Sequence, residues 1–262
     1  MQNERQNEIM RIISLRKRVA VAELTGRLNV SEVTIRKDLT VLEEMGYLVR
    51  TRGGAMLAED WEHHRSLVAR KEEHSAEKAA VARKALELVQ EGDTIYIDSG
   101  SSCALFAAEL AGMNLRVVTN SIDVVLALGD APGIALHCVG GHYRKEAGSF
   151  IGPVAQETLT GFNIETAFLG TTGISSAGDF SSQNLIESQL KKVAILRARR
   201  TVVLTDYSKV GVEAFAVFAH ADDIDVVVID DRTDRAALAH LPFELIIAEP
   251  ASGSTPAGSP MS

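Results

Sequence analysis

Three short stretches near the N-terminus repeat apolar residues at helical spacing. They predict three helices whose buried stripes are Ile9, Ile12 and Ile13, then Val21, Leu24 and Leu28, then Ile35, Leu39 and Leu42. Few residues separate the second helix from the third, and Ser31 among them is a favourable N-cap, so a helix-turn-helix is predicted. Gly46 is expected to end the third helix, and the alternating residues 47–52 before Gly53 predict a short two-stranded wing.

Further along the chain, short β-branched runs alternate with helical stretches. Strands are predicted at residues 94–98, 116–119, 135–139, 166–170, 201–205 and 225–229. Continuous apolar strands separated by helices indicate a mostly parallel sheet that is covered on both faces. The predicted fold class is therefore α/β, with a small winged helix-turn-helix domain and a larger Rossmann-like domain.

These patterns divide the chain into four predicted segments. Residues 1–57 form the winged helix-turn-helix domain, and residues 79–249 form the α/β domain. Between them, the polar residues 58–78 form a linker that passes into a helix ending near Gln90. Residues 250–262 form a tail that its composition predicts to be disordered.

The composition is that of an ordinary globular chain, because 46% of its 262 residues are hydrophobic and 24% are charged. The sequence has no uncharged apolar run of about 18 residues and begins with a charged stretch, which argues against a membrane span or a secretory signal and predicts a cytosolic protein. Cys103 and Cys138 are its only cysteines and lack metal-ligand spacing. No metal or other cofactor is predicted, and both thiols are expected to be reduced and buried.

Charge is distributed unevenly along the chain. Residues 1–56 carry ten Lys and Arg against seven Asp and Glu, whereas residues 57–262 carry seventeen against twenty-eight. The formal net charge of −8 therefore conceals a small basic segment joined to a large acidic one. Such a basic segment suits a polyanion such as nucleic acid, and the acidic remainder repels DNA elsewhere.

The third predicted helix carries side chains that suit a DNA major groove on the face opposite its apolar stripe. Lys37 is expected to donate to guanine O6 and N7, Val33 to pack on a thymine methyl group, and Thr34 to bond a phosphate or a base. Other residues are expected to hold the DNA backbone, with those of the wing also able to enter the minor groove. These are Ser31 and Arg36 of the helix, and Arg50 and Arg52 of the wing.

Residues 23–55, ELTGRLNVSEVTIRKDLTVLEEMGYLVRTRGGA, closely resemble the N-terminal winged helix-turn-helix of the DeoR family of bacterial transcription regulators. The resemblance is gapless and implies binding to double-stranded operator DNA. Asp38 within it is expected to position Arg11 or Arg36 rather than to meet DNA. The matching residues are Leu24, Leu28, Ser31, Thr34, Ile35, Arg36, Asp38, Leu39, Leu42, Gly46, Arg50, Gly53, Gly54 and Ala55.

Three polar clusters follow predicted strands, at the edge where an open parallel sheet receives its ligands. The first opens a helix with glycine and serine, whose amide and hydroxyl groups suit a phosphate. Lys209 would add a positive charge, while Asp98, Asn120 and Asp206 would bind the hydroxyl groups of a phosphorylated sugar. A glycine pair allows close backbone approach at the same rim. The predicted effector-binding residues are Asp98, Ser99, Gly100, Ser101, Ser102, Thr119, Asn120, Ser121, Gly140, Gly141, Asp206 and Lys209.

Two other side chains near this edge receive structural interpretations. His137 is predicted to be a partly buried histidine within a strand. Cys103 begins the helix behind the phosphate loop, where the helix dipole would lower the pKa of its thiol, but packing is the favoured role.

The remaining chain also resembles the DeoR family, whose C-terminal sensor shares its fold with ribose-5-phosphate isomerase, glucosamine-6-phosphate deaminase and CoA transferases. The resemblance implies a phosphorylated sugar as the effector. Three positions depart from the family pattern: Ser101-Ser102 stand for two threonines, Glu165 for an aspartate and Ile229 for a threonine. The matching stretches are Arg70, Glu77-Lys78, residues 98–102, residues 118–121, Gly140-Gly141, Gly152, residues 167–170, Gly173-Ile174, Glu187, Lys191 and residues 206–209.

The sequence therefore predicts a DNA-binding transcriptional regulator, a repressor of a carbohydrate operon that responds to a phosphorylated sugar. Since bacterial operators commonly pair two half-sites, a homo-oligomer is expected. The alternative is a sugar-phosphate isomerase or deaminase that uses Asp98, Asp206 or Glu187 as its base, but such an enzyme has no need of a recognition helix. An adaptor protein would leave the three polar clusters unexplained. The operon, the sugar and the direction of the effector's action stay open.

Overall fold

The computed structural model of the protein describes residues 4–16, 18–44, 48–57 and 73–250. The chain divides into two compact units, Met1–Ser66 and Leu67–Ser262, which we name the head and the body. Three predictions concern residues outside the described ones. They are the helix end at Gly46, most of the linker and the disordered tail.

The head contains helices α1 (Glu4–Arg16), α2 (Val21–Leu28) and α3 (Glu32–Glu44). Asn29 takes a left-handed backbone conformation with φ of 50° after α2, which makes the tight turn between the helices. Ser31 caps α3 as predicted, because its Oγ accepts a hydrogen bond from the Thr34 amide at 3.3 Å. The predicted apolar stripes meet in one buried core that contains Ile9, Ile12, Ile13, Val21, Leu24, Ile35, Leu39 and Leu42.

The wing is a three-stranded antiparallel sheet formed by β1 (Arg18–Ala20), β2 (Leu48–Thr51) and β3 (Gly54–Leu57), with β3 in the centre. The prediction of two strands is wrong in number, because β1 has only three residues, which are too few for their alternation to be recognised in the sequence. Gly54 faces Ala20 across the sheet, and a Cβ at this position would lie 2.1 Å from the Val19 carbonyl oxygen. Glycine is therefore the residue that lets β1 and β3 pair here.

The body is built on a seven-stranded parallel sheet with the strand order β15-β14-β12-β9-β4-β5-β6. Six of these strands are predicted, with ends that differ by one to three residues, whereas the edge strand β15 is not. Their bounds are Thr94–Ile97 for β4, Leu115–Thr119 for β5, Ile134–Cys138 for β6, Ile164–Gly170 for β9, Ala198–Leu204 for β12, Val226–Asp230 for β14 and Glu244–Ala248 for β15.

Helices cover both faces of this sheet, as the continuous apolar strands predict. On one face pack α4 (Ser75–Ala85), α5 (Ser101–Glu109) and α6 (Ile122–Leu128), and on the other α7 (Pro153–Thr160) and α8 (Leu185–Arg197). Strand β12 shows why these strands are apolar at consecutive positions. Val202 and Leu204 pack into the core on one face of the sheet, while Val203 packs into the core on the other face. Helix α4 begins at Ser75, within the range predicted as linker.

Smaller elements complete the body. A hairpin of β7 (His142–Arg144) and β8 (Ser149–Ile151) follows β6, and β10 (Gly173–Ile174), β11 (Phe180–Ser182) and β13 (Ala216–Ala219) form a short antiparallel sheet. The chain runs outward from β4 to β6 on one side and then crosses to β9 on the other. This reversal places the topological switch point between β4 and β9. None of the helices in the described part of the chain has the length and apolar character needed to cross a membrane.

Candidate functional site

A pocket of about 110 Å³ opens in the body at the carboxyl ends of β4, β9 and β12. The turn after β4 contributes residues 99–102, the loop after β9 contributes residues 171–172, and residues 205–206 follow β12. Lys209 lines the pocket from the short helical turn Tyr207–Lys209. The pocket therefore lies at the switch point, where the crevice rule for parallel sheets predicts it.

Several groups of this pocket suit an anion. Gly100 precedes α5 with φ of 124° and no side-chain cap, so the first-turn amides of α5 keep the donor capacity that a helix N-terminus offers an anion. The Lys209 ammonium makes no hydrogen bond or ion pair within the described residues, and its charge is available to a ligand. Thr205 is 2% exposed, and its buried hydroxyl has no hydrogen-bond partner in the described chain. A ligand oxygen in the pocket would satisfy it.

Asp98 is committed to a buried ion pair at the base of the pocket. The Lys191 ammonium of α8 donates to the Asp98 carboxylate and, at 2.8 Å, to the Gly170 carbonyl oxygen. The Gly170 amide also donates to Asp98 at 3.2 Å. Burial raises the pKa of Asp98, and the neighbouring Lys191 ammonium acts in the opposite direction. These contacts tie β4, β9 and α8 together, and they leave Asp98 outside the pocket lining.

Glu187 of α8 lines the pocket and is held in place by two neighbours. Arg144 of the β7–β8 hairpin donates to its Oε1 at 2.5 Å, and the Ser182 hydroxyl donates to its Oε2 at 3.2 Å. Both Arg144 and Glu187 are less than one-fifth exposed. A carboxylate fixed in this way is a rigid hydrogen-bond acceptor for hydroxyl groups of a ligand.

Asp206 and Lys78 form a second buried pair of opposite charges on the pocket wall. The Lys78 ammonium lies 3.9 Å from the Asp206 carboxylate and donates to the Glu73 carbonyl oxygen at 2.6 Å. Asp206 also accepts hydrogen bonds from the Ser208 amide, at 3.1 Å, and from the Ser208 hydroxyl. Lys78 and Asp206 are 3% and 1% exposed, and both residues line the pocket.

The structure brings together about half of the predicted effector residues. Those at the end of β5 serve other contacts: the Thr119 hydroxyl donates to the Ile97 carbonyl, the Asn120 amide side chain donates to the Phe150 carbonyl, and Ser121 caps α6. The predicted residues in the pocket lining are Ser99, Gly100, Ser101, Ser102, Asp206 and Lys209. Those outside it are Asp98, Thr119, Asn120, Ser121, Gly140 and Gly141.

The pocket also contains residues that the sequence reasoning missed. Thr171 and Thr172 follow the predicted strand at 166–170, so the same crevice rule pointed to them. Lys78, Gly170, Glu187 and Lys191 match the family pattern, and Glu187 is also a candidate base of the alternative enzyme, but the sequence does not predict them as effector contacts. The remaining lining residues that the sequence does not predict as effector contacts are Glu73, Cys103, Ala147, Ser182, Leu204 and Thr205.

Three single-residue expectations in the body are corrected. His137 and Cys138 are exposed rather than buried, because β6 is an edge strand of the sheet. Cys103 is fully buried beside Phe168, and burial raises the pKa of its thiol instead of the helix dipole lowering it. Packing is the role that this environment supports.

Helix α3 of the head exposes the face predicted to meet DNA. Val33 is 77% exposed although it is apolar, and Lys37 is exposed on the next turn. Arg36 is also exposed, with its guanidinium 3.3 Å from the Glu32 carboxylate one turn earlier. An apolar side chain and a lysine presented to solvent on one helix face match the requirements of major-groove contact.

Arg50 of the wing is bound to α3. Its amide donates to the Glu43 carboxylate at 2.8 Å, and its guanidinium donates to the Thr40 hydroxyl at 2.9 Å. Arg52 is exposed in the turn between β2 and β3. The wing and the helix therefore form one surface, with Arg50 at the joint between them.

Asp38 is buried in the head and positions an arginine, but the partner is neither Arg11 nor Arg36 as expected. Both of its carboxylate oxygens accept from the Arg5 guanidinium, at 2.5 and 3.2 Å. Arg11 instead pairs with Glu8. The Arg5–Asp38 pair ties the start of α1 to α3 and so fixes the helix that carries Val33 and Lys37.

Proteins of similar sequence match this chain over almost their whole length. The lactose phosphotransferase system repressor of Streptococcus mutans is 33% identical over 236 residues, which cover 88% of this chain and 93% of the relative. The transcriptional repressor GlcR of Bacillus subtilis is 30% identical over 96% of this chain and 98% of its own. The transcriptional repressor AccR of Agrobacterium fabrum is 30% identical over 92% and 94%.

A solved structure of ribose 5-phosphate isomerase A from Methanocaldococcus jannaschii aligns with 51% of this chain and 53% of its own, with 21% identity and a TM-score of 0.39.

Residues 5–60 match the model of the DeoR-like helix-turn-helix domain. Residues 73–231 match the model of the DeoR C terminal sensor domain. With both domain models matched and relatives aligned over more than nine-tenths of their own length, the chain belongs to the DeoR family of transcriptional regulators.

Proposed function

We propose that the protein is a DNA-binding repressor of a carbohydrate operon and that a phosphorylated sugar controls its binding. The observation that carries this proposal is the pairing of an exposed recognition helix with a charged pocket in one chain of the DeoR family. Relatives named as repressors, one of them of the lactose phosphotransferase system, support regulation rather than catalysis. The repressor would act in the cytoplasm, where bacterial operators are.

The proposed operator contacts divide into base reading and backbone holding. Lys37 and Val33 read bases from the exposed face of α3, and Thr34 reaches a base or a phosphate. Ser31 and the helix N-terminus face a phosphate. The arginines that hold the DNA backbone are Arg36, Arg50 and Arg52.

The proposed effector site combines a phosphate end and a hydroxyl-binding part. The phosphate lies against the uncapped first turn of α5, with the Ser101 and Ser102 hydroxyls and Lys209 as further partners. Glu187, fixed by Arg144, accepts hydrogen bonds from sugar hydroxyls. The unpartnered Thr205 hydroxyl supports the presence of a polar ligand.

A homo-oligomer is part of the proposal, because one winged head contacts too little DNA for secure specificity and a two-fold dimer matches paired half-sites. Light scattering of the full chain, alone and with operator DNA, measures this directly. A mass of 28.2 kDa for the free protein, together with one chain per operator in the complex, would contradict it.

The decisive experiment has two arms on the same preparation. Operator fragments are selected from random DNA with the full chain and footprinted, and sugar phosphates are titrated by calorimetry and then added to the operator complex. We expect a hexose or pentose phosphate to bind, to bind far more tightly than the neutral sugar, and to change operator affinity about 5–150-fold. Tight binding without any change in operator affinity would contradict the sensor function for that compound.

A further inference from the structure

Lys78 has two structural roles. It lines the pocket, and it also forms a hydrogen bond that stabilises the turn preceding α4. It lies one turn into the helix and is 3% exposed. Its ammonium donates to the Glu73 carbonyl oxygen at 2.6 Å, while its charge faces the Asp206 carboxylate at 3.9 Å. Both Glu73 and Lys78 line the pocket. A ligand that attracts the ammonium therefore competes with the Glu73 carbonyl.

The turn braced by Lys78 has a strained conformation. His74, the N-cap residue of α4, has φ of 53° and ψ of 38°, in the left-handed region that residues other than glycine rarely adopt. Such a conformation persists only when surrounding contacts hold it. One contact is the Lys78 bond to Glu73, and another is the edge-on packing of the His74 ring against Tyr207, with centroids 5.0 Å apart.

Tyr207 connects this turn to the remaining pocket. It belongs to the same short turn as Lys209 and follows Asp206 directly. The Arg232 guanidinium lies 4.0 Å from the centre of its ring and is bonded to Glu77 of α4 at 2.6 Å. The start of α4 is thus packed against the segment that presents Asp206 and Lys209 to a ligand.

The covalent path to the head begins at this turn. Residue 73 is the first described residue after residues 58–72, which connect in the sequence to the winged helix-turn-helix. A change in the backbone at residues 73 and 74 therefore acts at the start of the covalent connection from the described part of the body to the head.

We propose that Lys78 is an anion-binding residue of the pocket and that its contact with a bound phosphate withdraws it from the Glu73 carbonyl and releases the left-handed turn at His74. A hydrogen bond between an ammonium and a phosphate is charge-assisted on both sides and is stronger than one to a neutral carbonyl. Release of the turn then transmits ligand binding to the residues that lead to the head. This inference rests on the proposed function, because it requires a phosphorylated ligand in the pocket.

The test combines calorimetry with amide hydrogen exchange on the full chain. The probes are ribose-5-phosphate, fructose-6-phosphate, glucosamine-6-phosphate and inorganic phosphate. In the wild type, saturation with a bound probe should speed exchange of the amides at residues 73–78 at least threefold. Lys78→Met should bind the same probe at least tenfold more weakly and show no probe-dependent change in this segment. Lys84→Gln, which removes a partly exposed lysine of α4 paired with Glu87, should behave as the wild type.

His74→Gly separates the turn from the binding chemistry, since His74 does not line the pocket. Glycine adopts φ of 53° without strain, so in this variant the left-handed turn no longer needs the Lys78 bond to hold it. This variant should bind the probe as the wild type does but lose at least half of the probe-dependent change in exchange. If a probe binds the wild type and amide exchange at residues 73–78 is unchanged or slower, the inference is overturned while the proposed effector class still stands. Failure of every probe to bind would overturn the proposed effector class and the inference with it.

Discussion

Asp98→Asn provides a sharp test of the buried pair beneath the pocket. The substitution removes the carboxylate that pairs with Lys191, and the ammonium, which is 7% exposed, is left with neutral partners: the new side-chain amide oxygen, the Gly170 carbonyl and the Phe218 ring. Removing one member of a buried pair leaves an uncompensated charge and costs about 3–5 kcal/mol. For a unit of this size the loss corresponds to a fall in Tm of roughly 6–20 °C.

A second substitution shows whether the charge itself causes the loss. In Asp98→Asn/Lys191→Met no charge remains, and the main residual cost is the unpaired Gly170 carbonyl, about 1–3 kcal/mol. The double variant should therefore be more stable than Asp98→Asn. Glu244→Gln is the matched control, because it breaks the exposed Arg200–Glu244 pair and should cost under about 1 kcal/mol.

Urea unfolding followed by circular dichroism, together with scanning calorimetry, measures all four proteins without ligand. If Asp98→Asn is as stable as the Glu244→Gln control, Asp98 is not held by Lys191. Its carboxylate would then be free to bind the hydroxyl groups of a sugar, as the sequence alone predicts.

Three further predictions concern the head and the pocket. Lys37→Ala should cost about 1–3 kcal/mol on the specific operator and relax its sequence preference, and equal losses on specific and scrambled duplexes in gel shifts would show that Lys37 does not read bases. Lys209→Ala should weaken binding of a sugar phosphate by about 1.5–3 kcal/mol in calorimetry. The reasoning fails if it changes affinity no more than Lys192→Ala, which removes an exposed lysine of α8. Gly54→Ala should destabilise the head by about 1–3 kcal/mol in thermal unfolding, because its Cβ meets the Val19 carbonyl, and unchanged stability would contradict the β1–β3 register.

Much of the fold is readable in the sequence because burial follows the period of each element. Ile35, Leu39 and Leu42 repeat at helical spacing because one side of α3 faces the head core. The run from Val202 to Leu204 is continuously apolar because both sides of β12 are buried. Elements that escaped prediction lack such a signal: β1 has three residues, and the edge strand β15 has only Ala248 fully buried.

Single residues at edges and in ion pairs were less predictable. The exposure of Cys138 depends on β6 being an edge strand, and the partner of Asp38 depends on how α1 crosses α3. Neither fact is local in the sequence. Arg5 and Asp38 are 33 residues apart, and charged residues nearer in the chain were equally plausible partners before the fold brought these two together.

The sequence established that polar residues follow the strands, because strand ends are local features. Which of those residues share a pocket depends on strand order, which long-range packing determines. Strand β4 has β9 on one side and β5 on the other, and the pocket opens on the β9 side. The loop at residues 171–172 therefore joins residues 99–102 in the pocket, whereas Asn120 and Gly140 do not line it. Lys78 and Lys191 reach the same pocket from helices that pack on opposite faces of the sheet, and only the folded chain brings their charges to Asp206 and Asp98.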